Sequence, residues 1–478
     1  MKLSELASEI KGTCIGDAEI LNLCTDSRVA GAGDLFFCFR GNSVDSHDFA
    51  EQAVLRGAAA IVCERKLPLS CPQLIVKDGR EAMAFLSSAF YRHPERKLKI
   101  VGVTGTNGKT TTCHLIRSAL TASGKKVGII GTLGAHYANK AVPPDLTTPD
   151  PVALFSLLAD MVKEGVEIVV MEVSAHALAL HKVTPILFEI AVFTNLTRDH
   201  LDFFGDMKAY GEAKKQLFQP SRCRFAIYNA DDAFTRELLT LETAHTTYGL
   251  DTPADAFALI QHEDLHGSEV LLNLNDELCE VELNLTGRYN AMNALAAACA
   301  AKALGATVED IAEGFASLNA VDGRLEHVAS FHGAEIFVDF AHTPDGLEKS
   351  LTCLREHCDG RLIALFGCGG NRDGGKRKIM GETAARHADF SIITSDNPRF
   401  EEPCEIIAEI ERGYVAISSD YVAVEEREKA IELALKMLEE GDVLLVAGKG
   451  GETYQEIMGI KYDFNDKDVI KSIIGKLA

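Results

Sequence analysis

Long apolar runs are missing from this 478-residue sequence, and their absence excludes a class of protein. Although 47% of the residues are hydrophobic, no stretch reaches the roughly 18 uninterrupted apolar residues that a membrane-spanning helix needs. The first residues, Met1 to Glu5, also lack the apolar stretch of a secretory signal peptide. We therefore expect a cytoplasmic protein with no membrane partner.

Cysteine pairs with redox or metal-binding spacing are missing as well. The 13 cysteines are odd in number, scattered along the chain and never separated by two residues. Neither a disulfide framework nor a zinc site is predicted from such a pattern. We expect reduced cysteines that are mostly buried as small hydrophobic side chains.

Positive charge is scarce, because 48 Lys and Arg face 70 Asp and Glu and leave a formal net charge of -22. Nucleic acids and anionic membranes bind through broad positive fields, so neither is expected as a partner. A small anion such as a nucleotide needs only a few local donors. Glycine-rich loops that carry Lys or Arg are therefore the candidate sites.

The length favours about three domains, and the sequence pattern divides into three segments, residues 1–97, 98–322 and 323–478. The first segment is short and mixed α/β, and it ends in a polar, proline-containing stretch typical of a linker. In the other two segments apolar strands alternate with helical stretches, which predicts mostly parallel sheets covered by helices. The predicted strands are Asp34–Phe39, Ala58–Cys63, Ile100–Val103, Val127–Ile130, Glu167–Val173, Ile190–Thr194, Phe225–Tyr228, Glu335–Asp339, Leu362–Phe366, Phe390–Thr394 and Val443–Ala447.

The loop Gly105 to Thr111, with the sequence GTNGKTT, lies between an apolar strand and a helical stretch that runs to Ala122. Glycines let backbone N–H groups face phosphates, Lys109 adds a point charge, and the Thr110 hydroxyl can ligate Mg2+. The first glycine of the standard phosphate-binding loop is missing, since Val103 stands in its place. This compact form predicts a nucleoside triphosphate site and narrows the range of protein families to which the chain can belong.

Polar side chains follow the next strands of the central segment. Glu172 closes one strand and is a candidate Mg2+ ligand, although a solvated strand end has the same pattern. His200, in a polar cluster from Asn195 to Asp202, is either a hydrogen-bonded structural histidine or a ligand at this edge of the sheet. Lys214 lies on what the pattern predicts to be an exposed helix face.

Two loops of the last segment carry arginine after a strand. The loop Gly367 to Gly370 imitates a dinucleotide fingerprint, but Arg372 stands where the third glycine would be required. Its arginine and lysine side chains suit an anionic group of a substrate instead. The loop Asp396 to Arg399 follows another strand, and an ordinary turn is the alternative interpretation.

The assembled motifs resemble the Mur ligase family, and within it the MurE type. The resemblance extends over nearly the whole chain, and many ordered motifs at compatible separations are more specific than the phosphate loop alone. The motifs that carry it are Thr25–Arg28, Gly105–Thr111, Thr147–Pro149, Glu172–Ser174, Asn195–Asp202, Gly287–Asn293, Asp322–Arg324, Asp339–Asp345, Gly367–Arg377, Asp396–Arg399 and Gly448–Gly450.

The resemblance implies an ATP-dependent amide ligase of peptidoglycan precursor synthesis. In that family ATP phosphorylates the terminal carboxylate of a nucleotide-linked peptide, and an incoming amine displaces the phosphate. The implied fold has three α/β domains: a UDP-substrate-binding domain over 1–97, a central P-loop domain that binds ATP over 98–322, and a Rossmann-like, amino-acid-binding domain over 323–478. The implied substrates are UDP-N-acetylmuramoyl-L-alanyl-D-glutamate and meso-diaminopimelate, and we expect a monomer.

The resemblance also implies roles for individual residues. ATP would be bound by Gly105, Thr106, Asn107, Gly108, Lys109, Thr110, Thr111, Asn290, Asn293, Arg324 and Asp339. The UDP substrate would be bound by Thr25, Ser27, Thr147, Thr148, Ser174 and Lys182. The amino acid would be bound by Arg372, Asp396, Asn397, Pro398, Arg399, Gly448 and Glu452. Catalysis and Mg2+ binding would rest on Lys109, Thr110, Glu172, His200 and a carbamylated Lys214.

Substrate choice depends on the last loop, because the Asp-Asn-Pro-Arg form goes with meso-diaminopimelate in that family. Arg399 and Arg372 can hold a distal carboxylate bidentately, and lysine has no such carboxylate. An enclosed arginine left unpaired costs on the order of a few kcal/mol, which predicts discrimination of roughly 100-fold or more.

Three alternatives stay open: a lysine-adding MurE type, a ligase like folylpolyglutamate synthase, and an ATP-binding regulator without ligase chemistry. Arg399 opposes the first alternative, and the N-terminal motif that begins at Thr25 opposes the second. The chain departs from the usual family pattern at Asn42, Ser43, Leu146, Leu180, Lys182, Phe340 and Gly451, the last of which replaces a histidine.

Overall fold

Three separate sheets, each confined to one stretch of the chain, organise the computed structural model, which describes residues 1–41 and 44–477. Five strands lie between residues 12 and 76, eleven between 99 and 283, and six between 326 and 447. This arrangement confirms the predicted α/β class with several parallel-rich sheets. We call the three parts the N-terminal, central and C-terminal units. Asn42 and Ser43 lie outside the described residues, and the domain boundaries themselves stay predictions.

The N-terminal unit has one small sheet with helices packed against it. Its elements are α1 (Leu3–Ala7), β1 (Gly12–Ile15), β2 (Asn22–Cys24), β3 (Asp34–Phe37), α2 (Ala50–Leu55), β4 (Ala60–Cys63), β5 (Gln73–Val76) and α3 (Gly79–Phe90), with 3-10 helices at Ser46–Phe49 and Pro94–Lys97. The strand order is β1-β5-β4-β3-β2, and only β1 is antiparallel to its neighbour. The two strands predicted here are present but shorter than predicted.

The central unit has the largest sheet. Its elements are β6 (Lys99–Thr104), α4 (Lys109–Ala122), β7 (Val127–Gly131), β8 (Gly134–Tyr137), β9 (Lys140–Val142), α5 (Pro151–Lys163), β10 (Ile168–Glu172), α6 (Ala175–Ala179), β11 (Phe188–Phe193), α7 (Leu201–Phe204), α8 (Met207–Lys215), β12 (Cys223–Asn229), α9 (Thr235–Leu238), β13 (His245–Gly249), β14 (Ala256–Glu263), β15 (Ser268–Leu274), β16 (Leu278–Leu283), α10 (Arg288–Ala303) and α11 (Val308–Ala316), with a 3-10 helix at Gln216–Phe218.

Its strand order, β16-β15-β14-β13-β12-β11-β6-β10-β7-β8-β9, brings three loops to one edge. In this order the seven central strands, β14-β13-β12-β11-β6-β10-β7, are parallel to one another. The outer strands β15 and β16 at one end and β8 and β9 at the other pair antiparallel. Because β6 lies between β10 and β11, the loops that follow these three strands meet at the carboxyl edge of the sheet. Strands buried on both faces read as continuous apolar runs, which is why this parallel core was predictable.

The C-terminal unit contains a six-stranded sheet and a separate hairpin. Its elements are β17 (Glu326–Phe331), β18 (Ala334–Asp339), α12 (Pro344–Glu356), β19 (Leu362–Phe366), α13 (Gly375–His387), β20 (Phe390–Thr394), α14 (Pro403–Tyr414), β21 (Tyr421–Val424), α15 (Arg427–Lys436), β22 (Val443–Ala447), β23 (Tyr454–Ile457), β24 (Ile460–Asp463) and α16 (Asp466–Leu477). The strand order is β17-β18-β22-β19-β20-β21, with only β17 antiparallel, and β23 pairs with β24 alone.

A buried ion pair joins the first residues of α15 and α16 to the ends of two strands. Arg427 donates to both carboxylate oxygens of Asp466, at 2.8 and 2.7 Å, and both side chains are fully buried. The same guanidinium donates to the carbonyl oxygens of Ser395 and Ala447. The pair therefore supports the two loops that begin at Asp396 and Gly448.

Cysteine burial and helix length agree with the expectations drawn from composition. Nine of the 13 cysteines are buried and two are exposed, and all are free thiols. Among the helices of residues 1–41 and 44–477, none combines the length and the apolar character that crossing a membrane requires.

Replacing Asp466 with Asn should destabilise the C-terminal unit, because the Arg427 guanidinium would stay buried without its counter-charge. Breaking a buried pair costs on the order of 3–5 kcal/mol. The measurements are the free energy of unfolding in urea and the hydrogen-exchange rates of the β19 and β22 amides. Glu432→Gln, which breaks an exposed pair with Lys436, is the control and should cost about 0.5 kcal/mol or less. Equal stability of the two variants would contradict the assignment.

Candidate functional site

An open cleft of about 1350 Å³ lies between the central and C-terminal units. Loops that follow β6, β10 and β11 line one side, and loops that follow β18, β19, β20 and β22 line the other. The predicted site residues that line it are Thr106, Asn107, Gly108, Lys109, Thr110, Thr111, Thr147, Glu172, Ser174, His200, Asn290, Asn293, Arg324, Asp339, Arg372, Asp396, Asn397, Arg399, Gly448 and Glu452. The predicted residues outside this lining are Thr25, Ser27, Gly105, Thr148, Lys182, Lys214 and Pro398.

The phosphate loop is packed so closely that two of its glycines are required. A Cβ atom at Gly105 would lie 1.8 Å from Thr194 Oγ1, and Gly108 has a φ of +85° where α4 begins. Lys109 Nζ folds back and donates to the carbonyl oxygens of Gly105 (3.0 Å) and Thr106 (2.8 Å). The start of a 14-residue helix therefore faces the cleft with backbone N–H groups and a lysine, as an anion site requires.

Glu172 is buried against the phosphate loop and is not a solvated strand end. Its carboxylate accepts hydrogen bonds from Thr110 Oγ1 (3.0 Å), Thr132 N (2.8 Å) and Thr132 Oγ1 (3.2 Å). A hydroxyl and a carboxylate are the oxygen ligands that Mg2+ prefers. Arg324 Nη2 donates to the same Thr110 hydroxyl at 2.8 Å, and its guanidinium stacks on the Phe340 ring. This cluster combines two candidate Mg2+ ligands, Thr110 and Glu172, with the positive charge of Arg324.

The predicted His200 lies in a cluster that reaches across the cleft, in which Asp199 and Lys376 are buried and the side chains of His200 and His342 are 36% and 35% exposed. Asp199 Oδ2 is 3.4 Å from His200 Nε2 and 3.7 Å from His342 Nε2, and Lys376 Nζ is 3.8 Å from the other oxygen. Burial lowers the pKa of His200 to about 3, so its imidazole is neutral and can offer a lone pair. Burial alone raises the pKa of Asp199, but His342, Lys376 and His200 hold it below its usual range.

Lys214 is buried, and the exposed helix face predicted for it is wrong. Only 1% of the residue is accessible, and its Nζ donates to the Gly105 carbonyl at 2.8 Å and lies 4.4 Å from the Tyr210 ring centre. Burial and the nearby Lys109 lower the pKa of Lys214 well below its ordinary value. None of the ion pairs among the described residues involves Lys214. Its amine therefore lies beside the phosphate loop, where burial disfavours its charged form.

The residues predicted for the nucleotide form two buried groups at the same cleft. On α10, Asn293 Nδ2 donates to Asn290 Oδ1 at 3.1 Å. At the end of β18, the Asp339 carboxylate accepts from the backbone amides of Leu325 (2.6 Å) and Ala341 (3.0 Å). Burial raises the pKa of Asp339. These hydrogen bonds hold the side chains in place beside the phosphate loop.

Residues predicted for the UDP substrate divide between two places. Thr148 Oγ1 donates to the Glu172 carbonyl at 2.8 Å and accepts from Ser174 N at 3.0 Å. Lys182 Nζ donates to the Thr148 carbonyl and lies 2.8 Å from an Asp150 oxygen. These residues support the cleft wall directly beside Glu172.

The two N-terminal residues of that set are elsewhere. Thr25 is exposed in the loop after β2, and Ser27 Oγ donates to Gln52 Oε1 at 3.0 Å within the N-terminal unit. The structure therefore does not bring Thr25 and Ser27 to the walls of the cleft.

The two C-terminal motifs predicted for the amino acid are joined by hydrogen bonds. Asn397 Nδ2 donates to Glu452 Oε2 at 2.8 Å. Arg399 Nη1 donates to the Gly370 carbonyl at 2.9 Å, and its Nε lies 3.3 Å from Glu456 Oε2. Arg399 therefore has a carboxylate partner already, which corrects the sequence argument that it would be unpaired without a distal carboxylate.

Sequence reasoning missed several residues of this site. Thr132 bonds to Glu172, Asp199 bridges the cleft, and Glu456 pairs with Arg399. Lys449 Nζ donates to Asn397 Oδ1 (3.1 Å) and Glu452 Oε2 (3.0 Å) from full burial. Only Asp199 and Lys449 lay inside motifs already singled out; Thr132 and Glu456 carry no local signal.

Comparisons with known proteins agree with these motifs. Three family models match consecutive stretches: "Mur ligase family, catalytic domain" over residues 19–91, "Mur ligase middle domain" over 103–301 and "Mur ligase, glutamate ligase domain" over 323–450. The UDP-N-acetylmuramoyl-L-alanyl-D-glutamate--2,6-diaminopimelate ligase of Geobacillus thermodenitrificans is 42% identical, and the alignment covers 99% of each chain.

Solved structures show the same fold. One structure of a UDP-N-acetylmuramoyl-L-alanyl-D-glutamate--2,6-diaminopimelate ligase is 31% identical, covers 96% of this chain and 95% of that chain, and has a TM-score of 0.67. A Mycobacterium tuberculosis folylpolyglutamate synthase complexed with ADP and AMPPCP has a TM-score of 0.65. That match covers 77% of this chain and 92% of the other at 18% identity, so it shows a shared fold alone.

The lowered pKa of His200 predicts that its NMR signal does not titrate between pH 5 and 8. A pKa of about 3 in the folded chain lies below the ordinary value of 6.5. Between these values the unfolded chain binds a proton that the folded chain does not, so this group contributes to a loss of stability as the pH falls. The measurement is the His ring Cε1–H shift, assigned by its loss in His200→Gln. A titration midpoint above pH 5 would contradict a ring that stays neutral in this range.

Proposed function

We propose that this chain, which belongs to the Mur ligase family and is an ATP-dependent ligase, joins meso-diaminopimelate to UDP-N-acetylmuramoyl-L-alanyl-D-glutamate in peptidoglycan precursor synthesis. The observation that carries the proposal is one cleft lined by the phosphate loop, Glu172 and Arg399 together. Similarity over the full length to a ligase of that name supports it. We further propose a cytoplasmic monomer.

ATP would bind with its phosphates at the start of α4 and with its nucleoside beside Asn290, Asn293 and Asp339. Thr110 and Glu172 would hold Mg2+, which when bound neutralises charge on the phosphates. Lys109 would exchange its bonds to loop carbonyls for a phosphate oxygen. These groups oppose the negative charge that develops during phosphoryl transfer.

The reaction would proceed in two steps. A carboxylate oxygen of the glutamyl residue attacks the γ-phosphorus of ATP, ADP leaves, and an acyl phosphate forms. The amine of the second substrate then attacks the carbonyl carbon, phosphate leaves with the bridging oxygen, and the amine loses a proton. Arg324, which reaches the phosphate loop from the C-terminal side of the cleft, is placed to stabilise charge on the transferred group.

Contacts across the cleft join its two walls. Asn107 Nδ2 donates to Asp345 Oδ2 at 2.7 Å, and Asp199 faces His342 and Lys376. Contacts that join the two walls would position reacting groups and limit the access of water to an acyl phosphate. The domain boundaries near residues 97 and 322 are proposed because each of the three large sheets lies within one of the resulting segments.

Carbamylation of Lys214 is part of the proposal. The neutral form of the amine would attack the carbon of CO2 and release a proton, and the resulting carbamate carries two oxygens and a negative charge. With His200 it would hold a second Mg2+, since carboxylate-like oxygens and a neutral imidazole are suitable ligands. The burial of Lys214 without a carboxylate partner supports this modification.

Arg399 and Arg372 would bind the distal carboxylate of meso-diaminopimelate, with Gly448 and Glu452 at the far amino-acid end. The glycine that replaces histidine at position 451 has a local reason in this chain. A Cβ atom at Gly451 would lie 2.9 Å from Asp322 Oδ1, so a larger side chain would require this wall to move.

Phosphate release from ATP tests the proposal. With UDP-N-acetylmuramoyl-L-alanyl-D-glutamate present, we expect meso-diaminopimelate to stimulate release about tenfold or more above L-lysine or L-ornithine, because only meso-diaminopimelate has a distal carboxylate for the two arginines. Arg399→Ala should remove most of that preference without lowering the rate with lysine. Equal rates with lysine and meso-diaminopimelate would contradict the role of Arg399. Stimulation only by a folate and glutamate would favour the folylpolyglutamate alternative, and no stimulation by any pair would favour a regulator.

Lys214→Ala should lower the ligase rate by about 100-fold or more, because a metal ligand would be lost. The ¹³C NMR spectrum of the wild-type protein in ¹³C-bicarbonate should show a carbamate signal that this variant lacks. The control is Lys215→Ala, which removes the neighbouring lysine that faces Glu237 and should keep both signal and rate. Full activity of Lys214→Ala would contradict the carbamate.

A further inference from the structure

Arg399 is held from two sides before any substrate is present. Its Nη1 donates to the Gly370 carbonyl at 2.9 Å, and its Nε lies 3.3 Å from Glu456 Oε2. The exposed fractions of the two side chains are 17% and 22%, so this pair is shielded far better than a surface ion pair. Two separate contacts on one guanidinium fix both its position and the direction of its plane.

The backbone of Arg399 is tied to the same hairpin that carries Glu456. Arg399 N donates to the Glu456 carbonyl at 3.0 Å, and Met458 N donates to the Arg399 carbonyl. Arg399 has a φ of +55°, a left-handed conformation that costs a non-glycine residue free energy and persists where neighbouring structure enforces it. The β23–β24 hairpin therefore contacts both the backbone and the guanidinium of Arg399.

Glu456 also belongs to the network that joins the two amino-acid motifs. Its backbone N donates to Asn397 Oδ1 at 2.9 Å. The same oxygen accepts from Lys449, and the Asn397 amide donates to Glu452. The backbone of Glu456 is therefore anchored in this network, within reach of Arg399.

The position of Glu456 relative to the cleft decides between two opposite roles. A carboxylate inside the cleft would compete with the distal carboxylate of the amino acid for Arg399. Arg399 lines the cleft and Glu456 is not among the lining residues. The Glu456 carboxylate pairs with Nε, the guanidinium nitrogen nearest the backbone of Arg399. Its charge holds Arg399 in place and leaves the cleft side of the guanidinium to the substrate.

We propose that Glu456 is a positioning residue that orients Arg399 toward the cleft and thereby sets selectivity for an amino acid with a distal carboxylate. This role rests on the proposed function, because it concerns how that amino acid is recognised. Preorganised donors bind their ligand without first paying the entropy of ordering. Glu456 therefore acts on the binding of the second substrate and not on phosphoryl transfer.

The test compares Glu456→Ala and Glu456→Gln with wild type, using steady-state phosphate release with the nucleotide dipeptide. For meso-diaminopimelate we expect Glu456→Ala to raise KM about tenfold, because Arg399 loses the ion pair that holds its Nε end, with kcat within about twofold. The rate with L-lysine should not change. Glu456→Gln keeps the size and polarity of the side chain without its charge and should recover part of the loss.

Glu280→Gln is the matched control, because Glu280 is an exposed glutamate on β16 in another unit, and it should behave as wild type. Thermal unfolding midpoints check that the variants fold. An unchanged KM, a lower KM, or equal losses with lysine and meso-diaminopimelate would each overturn the positioning role. If wild type itself shows no stimulation by meso-diaminopimelate, the proposed function fails first and this role fails with it.

Discussion

The buried carboxylate of Glu172 is the group around which the cleft is arranged. An ionised carboxylate taken out of water requires hydrogen bonds or opposite charge, and Glu172 obtains its hydrogen bonds from Thr110 and Thr132. These bonds bring the start of α4 and the end of β7 to the end of β10. Arg324 then reaches the Thr110 hydroxyl from the other side of the cleft. The phosphate loop, the candidate Mg2+ ligands and one contact from the C-terminal unit thus converge on one buried carboxylate.

A second buried carboxylate, on the central unit, obtains its partners from across the cleft. Asp199 comes from the central sheet, whereas His342 and Lys376 come from the C-terminal unit. Since the loops on both sides follow parallel strands, each sheet presents its carboxyl edge to the shared space, where ligands of open α/β sheets bind. A ligase needs this geometry, because a phosphorylated carboxylate and an amine must meet while water is kept away.

The parts of this structure that the sequence predicted share a physical origin. Strands of a parallel core are apolar along most of their length, so β6, β10 and β19 were recognisable, and polar residues at the ends of β6 and β10 had to share an edge. Glu172 and Thr110 were therefore predictable as neighbours. The outer strands β14 to β16 alternate exposed and buried residues, and they were not predicted.

Residues that depend on distant packing were beyond local patterns. The sequence around Lys214 has the spacing of a solvated helix face, yet its amine is buried against Gly105, a contact 109 positions away in the chain. Glu456 is one of many glutamates in an acidic chain until the hairpin β23–β24 places it beside Arg399. Such contacts arise from the way units and hairpins pack, which neither periodicity nor composition encodes.

Transfer of a phosphoryl group to a carboxylate before the amine attacks can be tested with an isotope. The substrate is UDP-N-acetylmuramoyl-L-alanyl-D-glutamate labelled with ¹⁸O in the glutamyl carboxylate that becomes the amide. We expect one ¹⁸O atom in the inorganic phosphate for each peptide bond formed, because the bridging oxygen leaves with phosphorus. Phosphate free of ¹⁸O, at an undiminished rate of product formation, would contradict that transfer.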